Sequence, residues 1–431
     1  MIRSLSKFFT HILERWLPDA FIIAIVITFI VLITGVFIQN QPPVHMVRFW
    51  GDGVWNLLVF SMQVTITLFT GSVLAQTQTV RGGLKKIASI AKSPGQAIIL
   101  MTTIALICCW ISWGFGLIAS ALMAREIALQ VKGVHYPLLV ASAYSGMLVW
   151  HAGLSASIPL KIAAADGDGL SALLNGSTIP LSETIFSWES LAICLVLFFT
   201  LPIVNRLMLP APKETIEIEP RMIDLHTDTK IKNNTPAQYI ENHRLPTLSL
   251  GLLGAFYLID YIANGGVIGL NVINFIFLVT GLLLHQSSAS YLTALSEAVK
   301  GLSGIVLQFP LYAGIMGMIV GSGLAVSMSE WFVGISNAET FTLLTFLSAG
   351  IVNIFVPSGG GQWAIQAPIV IPAAQSLGVP LNHAAMAVSF GDAWTNMIQP
   401  LWALPLLGIA GLKIKDIMGY CTVTLIWSGL V

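Results

Sequence analysis

Asp392 is the only charged residue between Thr340 and Ala410. A carboxyl in so long an apolar run either carries protons or ions, or is held by backbone N–H groups at a helix break. Beside it, Thr395, Asn396 and Gln399 offer hydroxyl and amide groups. Asp392, Thr395 and Asn396 together suit a sodium ion, and they equally suit a neighbour for a group that gains and loses a proton. His151, within Trp150-His151-Ala152-Gly153, lies in a second apolar run. An imidazole there relays a proton, hydrogen-bonds a substrate, or packs as a neutral ring. Two further motifs supply backbone chemistry: Ser112-Trp113-Gly114-Phe115-Gly116 and Ser358-Gly359-Gly360-Gly361. Glycines there permit a tight, left-handed turn and close approach of a ligand, so a β-branched residue at Gly360 is expected to abolish the site. A helix starting just after such a tip directs N–H groups and a partial positive charge at it, enough for a carboxylate without arginine. Trp113, Trp150, Trp363 and Trp394 flank these motifs and suit an apolar wall for a short acyl chain. Neither glycine run continues into the Gly-Lys-Ser/Thr of a nucleotide loop.

The elements that position these residues follow from composition. Of 431 residues, 55% are hydrophobic and 9% charged, where soluble domains carry about 25% charge. The chain is therefore read as an all-α polytopic membrane protein in contact with the lipid bilayer. Its net charge of zero supplies no basic stripe for nucleic acid. Cys108, Cys109, Cys194 and Cys421 lie in apolar runs without metal-ligand spacing and read as packing. With no His/Asp/Glu cluster and no nucleophile beside a base, the chain is not expected to be an enzyme or to hold a cofactor beyond a coupling ion, H+ or Na+.

Charge placement sets the expected path. Arg3, Lys7 and Arg15 place the N-terminus in the cytoplasm, and Ala20 to Ile38 is a retained first span. A second, about Asn56 to Ala75, returns to Arg81, Lys85, Lys86 and Lys92. Ser93 to Ala124 then runs 32 residues without charge, too long for one crossing and short of the roughly 40 that two require. A re-entrant hairpin turning at Ser112–Gly116 fits; one long tilted helix is the alternative. Pro137 to Leu160 is a span broken at Gly146 and at Trp150–Gly153, followed by an outside loop with Asp166, Asp168 and Glu183. A span from about Leu191 to Val204 returns to the charge-dense linker Lys213 to Arg244.

The second half repeats the parts. Spans run over Leu248–Ala263, Val272–Leu284 and Gly301–Ala325, with an interfacial helix over Ser287–Lys300. Thr340 to Gly391 follows without charge and holds a second hairpin around Ser358. The last broken span is interrupted around Asp392–Asn396 and runs to about Ile409. A final stretch from about Ile417 to Val431 is short for a span. Offsets of 246 pair Ser112 with Ser358, Gly114 with Gly360, Ala141 with Ala387 and Pro159 with Pro405, and an offset of 250 pairs Gly71–Ala75 with Gly321–Ala325. By charge, the first hairpin enters from inside and the second from outside. The reading is two inverted-topology repeats, each with a re-entrant helical hairpin and a broken transmembrane helix: residues 1–209, a cytoplasmic linker 210–245, and residues 246–431 with one extra span at its start. That is the pattern of a secondary transporter, with its site where the helices break and with Ser112 and Ser358 close together at the membrane midplane.

WLPDAFIIAIVITF at Trp16, WGDGVWNLL at Trp50, WGFGLIASALMARE at Trp113, HYPLLVASAYSGMLVWHAGLSASIPL at His135, FVPSGGGQWAIQAPIVIPAAQSLG at Phe355 and IKDIMGYC at Ile414 closely resemble the bacterial short-chain fatty acid transporter family. The resemblance covers essentially the whole chain. It implies uptake of small monocarboxylates of the acetoacetate and butyrate type, the ion transporter superfamily, elevator-type alternating access, a bacterial inner-membrane location and, as an option, a homodimer. It assigns no binding residues. The candidate substrate and ion site therefore rests on the breaks: Ser112, Trp113, Gly114, Gly116, Trp150, His151, Gly153, Ser358, Gly359, Gly360, Gly361, Asp392, Thr395, Asn396 and Gln399. A dicarboxylate carrier of the same superfamily and a small-anion channel are the alternatives.

Overall fold

The computed structural model describes residues 2–164, 174, 177–218, 235–266, 270–299 and 303–431, and among these every regular element is a helix. Asp166, Asp168, most of the charged linker, Lys300 and Gly301 lie outside the described residues. Four segments are long and apolar enough to cross a membrane: Pro94–Ile111, Tyr136–Ala163, Trp188–Leu207 and Leu245–Ala263. The chain is thus a multi-pass membrane protein.

The N-terminal helix α1 (Ile2–Trp16), α2 (Ala20–Phe37), α3 (Pro43–Gly53), α4 (Leu58–Ala75) and α5 (Gln78–Ala88) precede the first hairpin. In that hairpin α6 (Pro94–Ile111) and α7 (Trp113–Gln130) are parted by Ser112 alone, which is extended at φ −157° and ψ 119°. The arms fold back closely because Gly116 has no side chain: a Cβ there would lie 2.5 Å from Cys109 Sγ. The hairpin, not a single tilted helix, is what forms. Its second arm runs beyond the uncharged stretch, past Arg125 and Glu126.

Next come α8 (Tyr136–Tyr144), a buried 3-10 turn over Ser145–Ala152, α9 (Ser157–Ala164) and α10 (Trp188–Leu207). After the linker stand α11 (Pro236–Asn242), α12 (Leu245–Ala263), α13 (Leu270–Leu284), α14 (Ser288–Val299), α15 (Ser303–Ser322) and α16 (Leu324–Gly334). The span expected to run straight to Ala325 instead bends by 61° at Gly323, which sits at φ 82° where a side chain would be strained. The second hairpin is α17 (Phe341–Phe355) and α18 (Gly359–Leu377), followed by α19 (Leu381–Thr395), α20 (Pro400–Ala410) and α21 (Ile414–Ser428). At its tip Ser358 takes φ −154° and ψ 103°, nearly the conformation of Ser112 at the 246-residue offset.

Two corrections concern the breaks. Asp392 was expected within one, yet α19 stays helical through Thr395 and the interruption falls at Asn396–Gln399. The cause is Pro400 at the first position of α20, which holds Gln399 extended at φ −87° and ψ 117°. The tips also need no left-handed residue: the positive-φ glycines are Gly133, Gly265, Gly323, Gly378 and Gly411. Trp16, Trp55 and Trp188 are exposed, whereas Trp50 packs on α15, where a Cβ on Gly314 would meet its indole nitrogen at 2.7 Å.

The largest core joins both halves. Met101, Leu106, Tyr144 and Met147 from the first pack with Trp402, Leu406 and Ile417 from the second. Within it Asn205 of α10 donates to Thr102 Oγ1 at 3.0 Å and to Ser145 Oγ at 3.1 Å, pinning the start of the 3-10 turn.

The start of the linker is fixed by His135. Its Nδ1 accepts from Ile216 N–H at 3.0 Å, so Nε2 carries the proton and donates to Tyr420 Oη at 2.9 Å. Tyr136 N–H closes the pair on Ile216 O at 2.8 Å. Burial pushes this imidazole down to about 4 from 6.5, with Glu214 opposing weakly. The unfolded chain therefore takes up a proton in a window where the folded chain does not. Stability is complete above pH 6.5 and is lost as pH falls toward 4, by roughly 2–3 kcal/mol. Thermal unfolding between pH 7 and pH 4 should fall more steeply for wild type than for His135→Gln; equal slopes would remove His135 as the cause.

Candidate functional site

The 3-10 turn carries Trp150 and His151 into the interior, and both helix tips close on it. On the first side, Leu154 N–H donates to Trp110 O at 2.8 Å and Trp113 N–H donates to Ser155 Oγ at 3.0 Å. Gly153 lies so close to the Trp110 carbonyl that a Cβ would overlap it. Trp150 stacks on His151 with ring centroids 3.7 Å apart. Trp113 meets Trp150 edge-on at 6.1 Å and Trp402 at 5.1 Å, completing an aromatic wall. On the other side, a Cβ on Gly359 would lie 2.6 Å from His151 Nε2 and 3.1 Å from Trp150 Cη2.

The second tip is a built helix start. Ser358 Oγ accepts from Gly361 N–H at 3.4 Å, and Ser358 O accepts from Gln362 N–H at 2.6 Å. The N–H groups of Gly359 and Gly360, one and two places earlier, have no acceptor within the helix. Lys161 of α9 reaches the same tip, its Nζ 3.3 Å from Gly360 O.

His151 and Asp392 form a pair 0% and 1% exposed, with Nδ1 3.3 Å from Oδ1. Nδ1 is also 3.1 Å from Ser389 O. A carbonyl only accepts, so the proton sits on Nδ1 and the Nε2 lone pair faces Gly359. Asp392 Oδ1 accepts a second bond from Asn396 Nδ2 at 3.4 Å. Neither His151 Nε2 nor Asp392 Oδ2 has a partner within the protein. Unsatisfied buried atoms of this kind are scarce in folded chains and mark places with work to do.

The neighbouring oxygens are already engaged. Asn353 Nδ2 lies 3.0 Å from Asp392 O, 3.0 Å from Thr395 Oγ1 and 2.8 Å from Asn396 Oδ1. Asn396 O accepts from Tyr144 Oη at 2.5 Å. Gln399 serves as a cap, its Oε1 accepting from Trp402 N–H at 3.3 Å.

Of the residues singled out in the sequence, the structure brings Trp113, Trp150, His151, Gly153, Ser358, Gly359, Gly360, Gly361 and Asp392 together. Ser112 and Gly114 form the first tip, while Gly116 is used in packing the hairpin. Trp394 turns away, donating to Leu425 O at 2.8 Å, and Trp363 packs with Ile158 and Val370 in a separate cluster. Lys161, Asn353, Ser389 and Trp402 were not anticipated. Asn353 and Trp402 carry no distinguishing pattern, but Lys161 was visible as a lone cation ten residues after His151 in an apolar stretch.

Comparison with known proteins adds a family. The chain matches the family model described as "Short chain fatty acid transporter" over residues 1–431. A protein of Escherichia coli (strain K12), provisionally named a short-chain fatty acid transporter, is 42% identical over 435 residues, covering 100% of this chain and 98% of that protein. One of Haemophilus influenzae with the same name is 42% identical over 437 residues, covering 99% and 98%. A crystal structure of the Alcanivorax borkumensis YdaH transporter, titled as revealing an unusual topology, aligns over 96% of this chain and 98% of its own at 13% identity and TM-score 0.40.

The tip glycines are not equivalent. A Cβ at Gly360 would only touch the end of the Lys161 chain, 3.4 Å away, whereas one at Gly359 would lie 2.6 Å from His151 Nε2. Gly359→Ala should lower the melting temperature of the purified protein, by the roughly 1–3 kcal/mol of an overpacked core, and Gly360→Ala should leave it unchanged. The reverse order would mean the tip is not seated on His151.

Proposed function

This chain belongs to the short chain fatty acid transporter family, and we propose that it is a secondary active carrier of short-chain monocarboxylates such as butyrate or acetoacetate, driven by protons. It sits in the bacterial inner membrane with its N-terminus in the cytoplasm, its two helical hairpins re-entering from opposite sides as inverted repeats. The observation that carries the reading is the buried His151–Asp392 pair whose free Nε2 faces the glycine-rich start of α18.

The chemistry couples two ligands at one place. With Nε2 deprotonated, the tip is faced by a lone pair and the Asp392 charge stands behind it, which disfavours an anion. With a proton on Nε2, an N–H donor is directed at the tip, and a carboxylate seated at the first N–H groups of α18 gains a charge-assisted partner. Each ligand then raises the affinity for the other by the same factor. The Trp113, Trp150 and Trp402 rings provide an apolar surface for a short acyl chain. Protons are the better-suited coupling ion because His151 Nδ1 and Asp392 Oδ1 lie 3.3 Å apart in a buried pair, while Thr395 Oγ1 and Asn396 Oδ1 already accept from Asn353 Nδ2.

Proteoliposomes test this directly. Wild type should accumulate labelled butyrate when the interior is alkaline, without sodium, and should saturate, which a channel would not. His151→Gln and Asp392→Asn should lose accumulation driven by the pH gradient while retaining butyrate exchange, since exchange does not require the empty carrier to release its proton. Accumulation that follows sodium and ignores pH, or that survives in both variants, would remove the pair from coupling.

A further inference from the structure

We propose that the membrane face where α6 begins and α10 ends binds the headgroup of an anionic phospholipid, its phosphate held by Lys92, Lys132 and Arg206 and its acyl chains lying along α10.

Three segments far apart in sequence meet on this face. A Cβ on Gly95, in the first turn of α6, would lie 2.9 Å from Arg206 Nε and 3.5 Å from its Cζ, so the guanidinium from the last turn of α10 lies over the start of α6. A Cβ on Gly133 would touch Pro94 Cγ at 3.9 Å, which brings the turn after α7, with Lys132, to the same place. Lys92 precedes Pro94 by two residues, its backbone N–H fixed on Gln96 Oε1 at 2.8 Å. All three cations are exposed.

Gathered like charges repel, and the start of α6 adds a partial positive charge to theirs. The side-chain cations, and not the helix start, make the site. No residue between Asp52 and Glu126 is acidic, and among the described residues none of the three cations is in an ion pair. Glu217 is present, its Oε1 accepting from Gly133 N–H at 2.7 Å, and one carboxylate leaves the face positive. An anion is the missing partner.

Position selects which anion. Arg206 lies at the end of Trp188–Leu207, a segment long and apolar enough to cross a membrane. Phe199, Ile203 and Leu207 form an exposed row along one side of that helix, every fourth residue, leading to the arginine. A lipid phosphate on Arg206 would lay its chains on this row, whereas a soluble phosphate leaves the row unused. A guanidinium holds a phosphate through paired N–H bonds. A zwitterionic headgroup brings its own cation to compete, so phosphatidylglycerol fits better than phosphatidylcholine.

The purified full chain in neutral detergent tests this, with bound lipid read by native mass spectrometry beside the melting temperature. Wild type should bind dioleoyl phosphatidylglycerol in preference to dioleoyl phosphatidylcholine and melt higher with it. Lys92→Gln/Arg206→Gln should bind phosphatidylglycerol about tenfold or more weakly. Arg15→Gln/Arg244→Gln, which removes two exposed charges on other elements, should bind like wild type. Equal binding of the two lipids, undiminished binding by the folded Lys92→Gln/Arg206→Gln protein, or an equal loss in both double variants would overturn the site. If inorganic phosphate raises the melting temperature as much as the lipid does, the occupant is a soluble anion and the lipid assignment falls. Should Lys92→Gln/Arg206→Gln not fold, wild type at low and high salt takes its place: the preference for phosphatidylglycerol should shrink at high salt, and a preference that salt leaves untouched would overturn the proposal.

Discussion

A backbone break inside a lipid-embedded protein survives only where its N–H and C=O groups find partners within the chain. The stretch from Ser145 to Ser155 depends on this constraint, and much of the surrounding architecture supplies those partners. Trp110 O takes Leu154 N–H, Ser155 Oγ takes Trp113 N–H, and Ser389 O takes the proton of His151 Nδ1. Two glycines, Gly153 and Gly359, let neighbouring elements come close enough for these bonds to form. The first tip, the second tip and α19 are therefore held to one another through the turn between α8 and α9. Among the described residues, the buried side-chain atoms left without a partner around this turn include His151 Nε2, Trp150 Nε1 and Asp392 Oδ2.

Sequence showed the existence of the breaks better than their exact place. Ser112 and Ser358 pair by their spacing, and their backbone dihedrals are similar, although only Ser358 caps its helix with its side chain. The last break, expected around Asp392–Asn396, falls some four residues later, because the constraint that sets it comes from Pro400, whose ring restricts the residue before it. Glycine was read as conformational freedom at the tips, but there it provides proximity; the left-handed glycine that matters is Gly323, which turns α15 into α16. Asn353 could not be found at all. Its importance lies in three oxygens brought to it from α19 and the turn beyond, 39 to 43 residues away in sequence.

Asn353 also explains why the groups around the pair hold their geometry. The Asn353 amide NH2 donates into a cluster of oxygens from Asp392, Thr395 and Asn396, each within 3.0 Å, which stiffens the end of α19 just where the helix must stop. Tyr144 from α8 fixes the same end through Asn396 O. Asp392 is thereby presented to His151 by a rigid helix terminus, while His151 is held by Trp150 stacking and by Ser389 O.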